Sequence, residues 1–119
     1  MTAFLIAASL SLAWALVHTF VGEREVARPL RAVSMPHTAR ATAWMCWHYV
    51  TVALFLMFAF FLAAALGEAG LGLAATLLAA AFFLTGLWAK VATGESFARL
   101  PQGWLFLPVM LSGIWGLLA

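Results

Sequence analysis

The stretch Glu23-Arg24-Glu25-Val26-Ala27-Arg28-Pro29-Leu30-Arg31 gathers two of the chain's four carboxylates and three of its six basic residues into nine positions. What surrounds it is uncharged. Met1–Gly22 precedes it without a single Asp, Glu, Lys or Arg, and Ala41–Gly67, Ala69–Ala89 and Leu100–Ala119 are equally free of them. Each window has about the 20 residues that an α-helix needs to cross roughly 30 Å of hydrocarbon. A backbone in lipid must satisfy its own hydrogen bonds, so such windows read as spanning helices. The fold class expected is therefore all-α, an integral membrane four-helix bundle forming a single domain over 1–119, with helices near 2–28, 42–66, 71–92 and 103–118.

Charge distribution sets the expected orientation. Arg24, Arg28, Arg31 and Arg40 lie between the first two windows, and Lys90 and Arg99 between the last two. The connector Gly67–Gly72 carries only Glu68. With four spans, all six cations share one side, which the positive-inside rule assigns to the cytoplasm, with both chain ends on the outer side. Trp44, Trp47, Trp88 and Trp104 cluster toward the same helix ends, the depth that indole rings favour. Met1–Gly22 has no basic residue before its apolar run, so it reads as a retained first helix rather than a cleaved signal.

Composition narrows function by exclusion. With 66% apolar and 8% charged residues, the lipid bilayer is the expected surrounding, and a net charge of +2 is no nucleic-acid signature. The single Cys46 excludes an internal disulfide. The first connector is the longest, and Pro29 and Pro36 are expected to end or break helix within it, with Thr38 or Thr42 capping the next one. Glu25 with Arg28 is the ion pair expected there, and Arg28-Pro29-Leu30-Arg31 resembles a patch contacting anionic lipid headgroups.

Lipid does not press apolar helices together, so small residues and polar contacts are expected at their interfaces. Ala3, Ala7, Ser11 and Ala15 recur every four residues on the first helix, beside Trp14, His18, Gly22 and Glu25. On the second helix the inward face is expected to hold Trp44, His48, Thr51, Phe55, Ala59 and Leu62. Ser112 and Gly116 form a small-xxx-small pair on the fourth.

His18 and His48 fall at matched depth near the basic end, with Glu23 or Glu25 close below. Ionisable groups within spanning helices suggest a functional site. Three readings arise: an interhelical hydrogen bond, ligation of a divalent metal by the imidazoles and a carboxylate, or axial ligation of a b-type haem by one histidine from each helix.

The string His18-Thr19-Phe20-Val21-Gly22-Glu23-Arg24 followed by Arg28-Pro29-Leu30, and Arg40 leading into Trp44, Trp47-His48 and Thr51, resembles an uncharacterised family of small four-helix bacterial membrane proteins. The resemblance covers mainly the first two helices and implies a bacterial cytoplasmic membrane, with no substrate or catalytic residue attached. The function expected is a non-catalytic oligomeric or accessory membrane subunit, within a homo-oligomer or a larger membrane complex. A homodimeric small-solute transporter or channel, or a haem- or metal-binding protein, is the alternative. A deep carboxylate is missing from the first helix, which weakens proton-coupled export. No Ser/His/Asp set, phosphate loop or paired carboxylates favours an enzyme.

Overall fold

The computed structural model describes residues 1–119, apart from the side chain of Gln102. Every regular element is helical: α1 (Thr2–Val17), a π-helical segment (His18–Ala27), α2 (Arg28–Ala32), α3 (His37–Ala65), α4 (Ala69–Thr93) and α5 (Gln102–Leu118). The first three run on without a break as one rod over Thr2–Ala32. That rod, α3 and α4 are long and apolar enough to cross a membrane, whereas Gly103–Leu118 is a shorter apolar helix. At 1.5 Å per residue it spans about 24 Å, some 6 Å less than a typical hydrocarbon core.

Pro29 does not end the first rod. It stands in the first turn of α2, inside the continuous rod, and leaves one carbonyl of the preceding turn without its helical donor. The preceding residues are wound in π register, each N–H reaching five residues back, as when Arg28 donates to the Glu23 carbonyl. That wider turn carries the chain into the proline ring without the clash that a continuous α-helix would suffer. The same register corrects the expected ion pair. Arg28 Nε lies 3.9 Å from Glu23 Oε1. An i,i+5 pair is natural in a π-helix, while Glu25 and Arg28 are neighbours only in α register.

α3 begins at His37, immediately after Pro36, and no side chain caps it, so neither Thr38 nor Thr42 has the expected capping role. At the other end Gly94 closes α4 in the left-handed conformation, φ 71°, that glycine adopts without steric cost.

The three-residue link Leu66–Glu68 makes α3 and α4 antiparallel neighbours. α1 packs on α3 and α5, and α4 packs on α3 and α5, so each helix has two neighbours around a shared centre. The molecule extends 50 × 25 × 21 Å. Among the described residues, eight of the 14 buried apolar side chains are alanines. Ala3, Ala7 and Ala15 are buried together with Ser11, whose hydroxyl donates to the Ala7 carbonyl at 2.8 Å. Larger residues such as Leu5, Val52, Leu56, Leu77 and Ile114 point outward. Small residues inside and large ones outside is the packing expected of helices solvated by lipid.

The face of α3 needs correction. Leu54, Met57, Phe61 and Ala64 are buried, while Phe55, Ala59 and Leu62 are exposed. The inward stripe is turned by one residue, about 100°, from the one expected. Bulk decides the matter: Met57 and Phe61 fill the space left by the alanine-lined α1 and α4, and Ala59 would leave it empty.

On α5, Ser112 is half-buried and donates to the Pro108 carbonyl at 2.8 Å. Gly116 admits Phe4, whose ring lies where a Cβ would stand, 2.6 Å from the nearest carbons. Gly113, not singled out from the sequence, is buried against Thr76 and Phe61.

Candidate functional site

Near the basic end the helices part and leave a lateral cavity of about 590 Å³. The space is set by three local features. The first is the π segment, which presents His18, Val21, Gly22, Glu25 and Val26 to the cavity. A π turn takes about 4.4 residues, so 18, 22 and 26 align on one side; π segments often mark functional positions.

The second is a ring stack. His18 and Trp47 lie nearly parallel, 17° apart with centroids at 3.9 Å. Gly22 makes room for it, since a Cβ there would stand 2.6 Å from the outer carbon of the Trp47 ring. His18 Nε2 is also 3.4 Å from the Trp47 carbonyl oxygen. That is beyond the usual 2.7–3.2 Å of an N–H···O bond, so the ring is held more by stacking than by hydrogen bonding.

The third is the crossing of α4 and α5. Gly86 and Gly103 bring the two backbones together so closely that a Cβ on either would overlap the other's main chain. Both glycines border the cavity, with Phe82 and Phe106 meeting edge to face at 5.0 Å beside them.

The lining is mainly apolar, with a few polar groups. Thr85, Glu25 and His18 supply a hydroxyl, a carboxylate and an imidazole. Trp14 also lines the cavity, and its indole N–H is buried with no hydrogen-bond acceptor. Leaving such a donor unpaired in a protein interior costs about 1–3 kcal/mol. An apolar chamber within the 300–1,000 Å³ range, with a few polar groups, suits a small lipophilic molecule.

His48 does not join this site. It is exposed and meets Trp44 edge to face at 4.3 Å, one turn back on its own helix. The expected meeting of two imidazoles is therefore corrected. Their depths match, but His48 lies 100° around α3 from Trp47, and it is Trp47 that faces His18. Two facing axial histidines, the requirement of the haem reading, are not assembled. Among the described residues no three His, Cys, Asp or Glu side chains are grouped to hold a metal ion. Glu23 is half-buried and paired with Arg28, and Glu25 is exposed at the cavity edge.

The remaining cations are placed separately. Arg99 pairs with Glu95 at 3.6 Å, and the Lys90 ammonium lies 4.9 Å from the centre of the Phe97 ring. Arg31 sits over Trp44 at 4.7 Å, Arg40 is half-buried beside it and Arg24 is exposed.

Trp14, Phe82, Thr85, Gly86, Gly103 and Phe106 were not among the sequence-derived site residues. For most of them an apolar residue on an apolar helix gives no distinguishing signal. The Gly86 and Gly103 pair sits at corresponding depth on adjacent antiparallel helices, and that is the one trace sequence could have offered. Comparison with protein-family models, curated proteins and solved structures finds no match to this chain.

Proposed function

We propose that this chain is a non-catalytic subunit of a bacterial cytoplasmic membrane, spanning it four times with both chain ends outside, and that it holds a lipophilic molecule in the His18 cavity. Its outward apolar residues would meet lipid, further copies of the chain, or a larger membrane complex. The observation that carries the reading is the size and mainly apolar lining of this chamber, with the Thr85 hydroxyl and the His18 imidazole among its few polar groups. A lipophile bearing a carbonyl oxygen would accept from the Thr85 hydroxyl without the desolvation cost of a charge. Quinone rings and acyl esters both carry that group. The lining places no nucleophile against a base, so binding is favoured over catalysis.

Native mass spectrometry in mild detergent tests this, with a short-chain benzoquinone and a lysophospholipid as probes. The wild type is expected to retain one of the two. Thr85→Val, which keeps the side chain's shape and removes the hydroxyl, is expected to weaken retention about tenfold, the worth of one hydrogen bond. Trp88→Phe, at an exposed position, leaves it unchanged. Equal retention by wild type and Thr85→Val would remove the cavity reading.

A further inference from the structure

A second, smaller recess lies apart from the His18 cavity, where α2 meets the start of α3. It has a volume of about 380 Å³ and is lined by Arg31, His37, Arg40, Ala41 and Trp44. Two guanidinium groups and an imidazole converge there from two elements, and no carboxylate is among the lining residues. Arg28, on the same short helix as Arg31, pairs with Glu23 instead. Arg31 and Arg40 have no carboxylate partner among the described residues.

We infer that this recess is a binding site for a phosphate oxyanion, supplied by an anionic phospholipid headgroup. Guanidinium forks match the oxygen geometry of phosphate and bind it through two parallel N–H donors. Arg31 is held at the recess by Trp44, its guanidinium carbon lying over the ring 4.7 Å from the centroid. The recess also opens at the first turn of a 29-residue helix with no capping side chain, so the helix dipole adds favourable potential for an anion.

Height selects the source. If about 20 residues of α3 lie in hydrocarbon and the other nine precede them, Arg40 to Trp44 stand on the order of 3–9 Å beyond its edge, at the level of the lipid headgroups. The site differs from the linear patch Arg28-Pro29-Leu30-Arg31: folding diverts Arg28 to Glu23 and replaces it with Arg40 and His37.

Purified protein titrated with phosphatidylglycerol, phosphatidylcholine or inorganic phosphate, and read by native mass spectrometry, tests the inference. Phosphatidylglycerol adducts are expected to exceed phosphatidylcholine adducts. Neutralising one basic residue near an anionic surface costs about fivefold, so Arg31→Gln with Arg40→Gln is expected to lose on the order of 25-fold. The decisive variant is Arg31→Lys with Arg40→Lys, which keeps the charge but removes both forks. A built site loses about tenfold in that variant, with its thermal transition in detergent unchanged. Single Arg31→Lys, which leaves one fork in place, gives an intermediate loss and serves if the double variant fails to fold. Unchanged phosphatidylglycerol affinity in the lysine variants would reduce the effect to a general field and overturn the site. Saturation by inorganic phosphate with no lipid adduct would overturn the lipid assignment.

Discussion

Gly22 shows how a single hydrogen atom in place of a side chain organises the site. Its position on the π segment lets the Trp47 ring lie against the backbone and stack on His18. Gly22→Ala places a methyl group 2.6 Å from the ring, so Trp47 must move and the stack must open. The expected cost is about 1–3 kcal/mol, read as a lower thermal transition in detergent, together with weaker retention of the cavity ligand. An unchanged transition would mean the stack contributes nothing. At this scale the sequence was informative about depth but not about azimuth. His18 and His48 stand several turns from the same short link, one before it and one after, which is why their depths match. Which way each ring turns depends on a neighbour 29 positions away, the Trp47 that occupies the place expected for His48. Trp14 was similarly illegible, because an indole on an apolar helix looks the same whether its N–H is paired or orphaned.

α1 and α3 illustrate why small residues are a reliable guide on one helix and a misleading one on the other. On α1 the repeat Ala3, Ala7, Ser11, Ala15 is buried along its full length, because α3 and α5 both approach that side. On α3 the buried positions Leu54, Met57 and Phe61 are large, and Ala59 faces away. One interface thus pairs a smooth helix with a bulky one, and small residues mark only the smooth partner. Ala7→Leu is expected to destabilise the fold by about 1–3 kcal/mol through overpacking, whereas Ala59→Leu stays within about 0.5 kcal/mol. Thermal melts of the two variants in the same detergent check this, and equal effects would place α3 at the wrong rotation. The α4–α5 contact is stricter still, since backbone meets backbone at Gly86 and Gly103. Gly86→Ala has no flexible side chain to displace, so it is expected to separate the two helices and lower the transition more than Ala7→Leu.

The whole molecule is legible in outline because uncharged windows of about 20 residues have few alternatives to helix. All elements are indeed helical, and three of them are long enough to span. Less legible was the rod Thr2–Ala32, where proline was expected to stop a helix that a change of register carries past it. α5 is shorter than the rod Thr2–Ala32, α3 and α4, and its crossing of the bilayer is part of the proposal. The proposed arrangement gathers Arg24, Arg28, Arg31, Arg40, Lys90 and Arg99 on one side and leaves Glu68 on the other. Both the cavity and the phosphate recess take their orientation from it. Accessibility of engineered cysteines in intact cells addresses it most directly, with Cys46→Ala as the background because that thiol is exposed. Leu30→Cys should react with a membrane-impermeant maleimide only after the cells are opened, and Glu68→Cys should react before. Reaction of both residues from the same side of the membrane would contradict the alternating path of the chain and the single basic face that depends on it.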